Sequence, residues 1–177
     1  MKKKLLLVSL CAIVAFGFAA CGETVDADKE VEAITFTQDS VGSTIYDADG
    51  VKITVEEFYT GEVWGDGGGT CYGVNIYIEN NNTEENGNIW YEIEDSEVNG
   101  FDLYNDCGLS VEAGHRSDSD FDFSIYDADV NKIGEWDELK CTFVLSFGEI
   151  EDDGDIQYLN EDHSVTIPLI FKRSCWE

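Results

Sequence analysis

The sequence predicts an all-β sandwich. From Ser43 onward apolar and polar residues alternate with a period of two, turn-forming residues punctuate the alternating runs, and no stretch carries a sustained helical stripe. Alternation puts every second side chain on one face of a strand. Two sheets that each bury such a face against the other share one core.

Ahead of the strands, Lys2-Lys3-Lys4, an uncharged apolar run over residues 5–20 and Phe18-Ala19-Ala20-Cys21 form a bacterial lipoprotein signal, with Phe18 where such a signal usually carries Leu. The apolar run is shorter than the roughly 20 residues a spanning helix needs, so cleavage before Cys21 is expected rather than a transmembrane anchor. Cys21 would then carry a thioether-linked diacylglyceryl group, whose two chains give stable anchoring outside the cytoplasm. Residues 1–20 are thus the expected signal peptide, 21–42 a lipidated acidic tether and 43–177 the folded domain.

Residues 33–37 predict a first short strand. The pair Asp49-Gly50 predicts a hairpin turn into residues 51–58, where Val51, Ile53 and Val55 alternate with polar residues. In residues 72–79 Val74, Ile76 and Ile78 share a face, and a polar run over 80–88 turns the chain into residues 89–93. Further strands are expected at 109–111, 121–126, 139–147 and 165–171, with one helical turn near Ile133-Gly134. Pro168 lacks an N–H, which makes the last strand an edge candidate.

The charge is extreme. With 38 acidic against 10 basic residues the chain carries −28, and removal of residues 1–20 takes three lysines and no acid, leaving −31. Such a field repels nucleic acid and attracts cations or basic partners. Beyond Cys11 in the signal and the lipidated Cys21, four cysteines remain, and an even number outside the cytoplasm predicts two disulfides. Spacing leaves three pairings open. If residues 139–148 and 164–171 form a hairpin with Gly148 near Val165, Cys141 falls opposite Lys172, a few residues from Cys175. That favours Cys141 with Cys175 and leaves Cys71 with Cys107. No pair has zinc-type C-x-x-C spacing, and His115 and His163 show no ligand pattern.

The order Ile78-Glu79-Asn80-Asn81, Asn88-Ile89 through Val98-Asn99-Gly100, Val111-Glu112-Ala113-Gly114-His115 and Ile133-Gly134, with the opening run from Tyr46 to Thr54, resembles a domain of uncharacterised lipoproteins from Clostridia-type bacteria. The resemblance covers about residues 43–171 and rests on turns and strand patterns. It implies an immunoglobulin-like fold and a Gram-positive-type cell surface, and brings no assigned activity. The chain departs from it in the glycine-rich insertion over 65–69 and in the added cysteines.

Chemistry is sparsely signposted. Asp47-Ala48-Asp49-Gly50 lacks the glycine and glutamate spacing of an EF-hand and reads as a turn. Asp118, Asp120 and Asp122 share strand parity and could offer calcium a row of carboxylates, as could the acids around Gly154. No hydrolase, metalloprotease or phosphate-loop motif is present, so no enzyme is expected. Trp64, Trp90, Tyr91 and Trp136 are the candidate stacking rings for a sugar. The expectation is a non-catalytic binding or structural module of the cell envelope, recognising an envelope protein or a glycan; the alternative is a carbohydrate-binding module, with or without calcium.

Overall fold

The computed structural model describes residues 31–177 apart from 64–66 and 154–155. The chain forms β1 (Ile34–Phe36), β2 (Thr44–Ala48), β3 (Val51–Glu62), β4 (Gly69–Asn80), β5 (Asn88–Val98), β6 (Phe101–Asp102), β7 (Tyr104–Asp106), β8 (Leu109–Val111), β9 (Arg116–Tyr126), α1 (Asp127–Ile133), β10 (Glu138–Asp153) and β11 (Ile156–Lys172). One sheet runs β1-β11-β10-β5-β6 with β8 also on β5; the other runs β2-β3-β4-β9-β7. In chain order, β3, β4, β5, β7, β9, β10 and β11 occupy the seven places of an immunoglobulin constant-type sandwich, A-B-E-D facing C-F-G. The fold is therefore an all-β sandwich of immunoglobulin-like order. One pairing departs from a purely antiparallel scheme: β1 lies parallel to β11, with Ile34 opposite Leu169. Because β1 is part of the sheet, the compact unit starts at Val31, ahead of the expected boundary at residue 43.

Alternation sorts side chains as the sequence implies. Val74, Ile76 and Ile78 of β4 and Phe121, Phe123 and Ile125 of β9 face Phe143 and Leu145 of β10 and Leu169 and Phe171 of β11, all buried. Burying each side chain of this size contributes roughly 1.5–3 kcal/mol. Bulges reset the phase where the chain breaks alternation. Between Val55 and Glu57 the register of β3 slips by one against β4, so Phe58, rather than Glu57, follows Val55 into the core. Phe58 packs there on Phe171 and Trp176.

The tight turn at Asp49-Gly50 is present, with φ of 48° and 75°, the left-handed pair a two-residue hairpin requires. A Cβ on Gly50 would lie 2.5 Å from the Asn82 amide oxygen, so glycine is needed for space as well. Asn82 belongs to a polar knot built on Asn80, whose buried amide donates to the Gly87 and Val111 carbonyls at 2.8 and 3.0 Å and accepts from the Asn82 N–H. The expected helical turn is α1, closed by Gly134 at φ 71° with its N–H on the Val130 carbonyl.

The β10–β11 hairpin corrects a register. Leu145, not Gly148, lies opposite Val165, and a bulge at Phe147/Gly148 carries the pairing on to Asp153 opposite Ile156. Residues 149–153 and 156–163 extend the two strands of this hairpin beyond the expected strands at 139–147 and 165–171. At Pro168 β11 is an edge, since β1 begins its pairing only at Leu169.

Tyr91 links the two sheets. Its ring stacks on Phe143 at 5.2 Å, and its hydroxyl crosses the core to bond Ser119 Oγ at 2.6 Å and donate to the Asp120 carbonyl at 2.8 Å. Tyr91→Phe keeps the ring and strips a part-buried carbonyl of its donor, so it is expected to cost about 1–3 kcal/mol in denaturant unfolding; an unchanged midpoint would show the bond to be dispensable.

Candidate functional site

The outward face of the β2-β3-β4-β9-β7 sheet carries the densest polar chemistry. Past the bulge, β3 presents Tyr59 outward; β4 presents Cys71, Gly73 and Asn75; β9 presents Asp118, Asp120 and Asp122; β7 adds Asp106 opposite Asp122. Tyr59 lies across the strand from Gly73, and a Cβ there would sit 1.9 Å from the tyrosine ring, so glycine makes room for it. The Tyr59 hydroxyl donates to Asp120 Oδ2 at 2.7 Å, while Asn75 donates to Glu57 at 3.2 Å.

Cys71 is buried beneath this layer. Burial first, then the Asp122 and Asp120 charges, push its thiol up from 9.0 to about 12, so it stays protonated at neutral pH. Asp122, bonded by that thiol, is itself raised above the ordinary carboxylate value, chiefly by burial, with Asp106 and Asp120 adding repulsion. The same causes, burial first, raise the Tyr59 hydroxyl. The face thus holds hydrogen-bonded carboxylates and undissociated donors, an arrangement suited to contacts rather than to generating a nucleophile.

Asp118, Asp120 and Asp122 do share a face. Alternate residues of a strand stand about 6.6 Å apart, however, so a row along β9 does not converge on one ion. Among the described residues no group of three or more His, Cys, Asp or Glu is arranged to hold a metal, and Asp120 and Asp122 are engaged by Tyr59 and Cys71. Backbone pairing carries Glu151–Asp153 into β10, while their side chains and Asp155 lie outside the described residues.

The stacking-ring expectation is corrected for Tyr91 and Trp136. Tyr91 is fully buried and Trp136 nearly so, because both face inward: Trp136 packs edge-on against Tyr72 and Trp176, closing one end of the core. Trp90 is half-buried on the outward face of β5, where a Cβ on Gly108 would come within 2.8 Å of its ring. Trp64 lies outside the described residues, as does Cys21.

All four cysteines of the domain are free thiols, which corrects the disulfide expectation. Cys141 lies opposite Leu169, three places from the predicted partner Lys172, because of the register described above. Cys71 sits on β4, and the segment of Cys107 follows β7, with β9 between the two strands. The Cys107 thiol instead turns to the Ile93 N–H, accepting it at 3.0 Å. Sequence reasoning missed Tyr59. Two adjacent acids, Glu56-Glu57, break the alternation of β3 and were the available sign of the bulge that turns Tyr59 outward.

Compared with protein-family models, with curated proteins and with solved structures, the chain matches none.

Two outcomes follow. Under native conditions a thiol reagent should label Cys107, the half-buried one, well ahead of Cys71, Cys141 and Cys175, with all four reacting once the domain is unfolded without reductant; unreactive cysteines in the unfolded chain would mean bridges instead. The raised Asp122 carboxyl binds its proton more tightly when folded, so its contribution to stability falls as pH rises from the ordinary carboxylate range through the folded value. Asp122→Asn is therefore expected to raise the melting temperature near neutral pH and to leave a smaller difference in acid; a larger gain in acid would reverse the sign.

Proposed function

We propose that this protein is a lipid-anchored, extracytoplasmic module of the bacterial cell envelope that binds a partner or plays a structural part without catalysing a reaction. The observation that carries the reading is the state of the outward β2-β3-β4-β9-β7 face. Its thiol and tyrosine hydroxyl are held protonated and hydrogen-bonded to carboxylates, so the groups presented are recognition groups rather than an activated nucleophile and base. The immunoglobulin-like order supports the same reading, because it gives a rigid scaffold on which a face or an edge meets a partner. Membership in the Clostridia-type lipoprotein family named above belongs to the same proposal.

Anchoring rests on Lys2-Lys3-Lys4, the apolar run and Cys21. The net charge of −28 favours a cationic or basic partner and disfavours nucleic acid.

Expressed in a bacterial host, the wild-type chain is expected in the membrane fraction as a mature form with a diacylglyceryl mass on Cys21, while Cys21→Ala accumulates as uncut precursor. Mature protein without lipid at Cys21 would defeat the anchoring. Turnover in a hydrolase panel that disappears on Asp120→Asn or Asp122→Asn would defeat the non-catalytic reading.

A further inference from the structure

One stretch of β3 has no partner on one side. β2 pairs with β3 only from Val51 to Thr54, and the backbone bonds of Gly42 and Ser43 to Val55 end that contact. From Glu57 to Glu62 β3 pairs with β4 alone among the described residues. The Val63 N–H bonds the Gly69 carbonyl, which sets the phase of the ladder: Glu57, Tyr59 and Gly61 bond to β4, and the intervening Phe58, Thr60 and Glu62 turn their N–H and C=O groups to the open side. Glu56, Glu57, Thr60, Gly61 and Glu62 are all exposed.

Beside this edge lies a groove of about 310 Å³. Val41, Phe58 and Trp176 supply its apolar lining, and Glu56, Glu57 and Glu177 its acids. Val41 is 53% exposed, an apolar side chain left in solvent at the mouth. Glu57 is bonded by Asn75 and Glu177 is paired with Arg173, whereas Glu56 has no hydrogen-bond or ion-pair partner among the described residues.

We propose that this edge and groove bind an extended, basic segment of a partner protein by strand addition. The open N–H and C=O groups of Phe58, Thr60 and Glu62 would form the new ladder. A lysine or arginine would lay its methylene stem on Val41, Phe58 and Trp176 and its charge against Glu56. Charge selects the occupant. Two copies of a chain at −28 would bring matching rows of glutamates together, the device by which edge strands avoid self-pairing. A basic segment meets the same row with opposite sign. The inference takes its biological role from the binding-module reading, but its geometry stands apart from it: failure of peptide capture with lipidation intact removes only the edge assignment.

The probe is a short synthetic peptide of alternating lysine and threonine, with alternating glutamate and threonine as control, titrated onto the domain by fluorescence polarisation and followed by amide hydrogen exchange. Saturable binding of the lysine peptide alone, with new protection at Phe58, Thr60 and Glu62, is expected. Thr60→Pro removes an outward N–H that β4 does not use, and Glu56→Lys reverses the free charge; each should weaken binding about tenfold or more. Should Thr60→Pro fail to fold, protection in the wild-type chain and the Glu56→Lys titration decide alone. Binding without protection at these amides, or equal binding by Glu56→Lys, would mean diffuse attraction to the acidic surface and overturn the proposal. A wild-type dimer that Glu56→Lys strengthens or Thr60→Pro dissolves would give the edge to a second copy and overturn it as well.

Discussion

The hydroxyl of Tyr91 ties β5 to β9 across the interior, and much of the molecule is arranged around that bond. It joins the C-F-G sheet to the A-B-E-D sheet at Ser119 and the Asp120 carbonyl, in a core otherwise made mostly of Phe, Ile, Leu and Val. A polar atom at that depth is tolerable only when bonded, so the two sheets are held to one relative register as well as one separation. The same residue is then gripped from outside: the Asp120 carboxylate accepts the Tyr59 hydroxyl on the opposite face of the sheet. Burial raises the Tyr91 hydroxyl to about 12, keeping it a donor throughout the physiological range.

The excess of acids shapes the surface in a second way. Ten basic residues cannot neutralise 38 acids, and the ion pairs that form, such as Lys140 with Glu97 or Arg116 with the half-buried Glu79, are open to solvent and contribute little. On the outward β2-β3-β4-β9-β7 face Asp120, Asp122 and Glu57 are held by neutral donors, a tyrosine, a thiol and an amide, while Glu79 pairs with Arg116 at the far end of β4. Neutral partners hold the acids in place and leave the charge of the face intact, which is why the surface still presents itself to a cation.

Much of the architecture was legible because the rules involved are local. Period-two runs gave the core face of β4 and of the inner part of β10, and Asp49-Gly50 gave its turn, since few other residues accept two consecutive positive φ values. Errors began wherever an extra residue slipped the phase. The bulge at Val55/Glu57 hid the outward turn of Tyr59, and the one at Phe147/Gly148, with the long β10–β11 ladder beyond it, displaced the expected neighbours of Cys141. Tyr91 and Trp136 went wrong for another reason: an amphipathic ring fits either face of a strand, and Trp136 lies in the connection between α1 and β10, where no alternation applies. The carboxylate row on β9 was read correctly as a row, but whether a row converges on an ion depends on neighbouring strands, which the pattern does not encode.

The central claim is that the bond between Tyr91 and β9 couples the sheets, and a double-mutant cycle tests it most directly. Stability would be measured for the wild-type chain, Tyr91→Phe, Ser119→Ala and the double variant. The account predicts an interaction energy in the range of about 0.5–3 kcal/mol, with the double variant losing less than the two single losses combined. Strict additivity together with no loss in Tyr91→Phe would contradict it, showing that Tyr91 acts through its ring alone and that the sheets are held by apolar packing without a fixed polar link.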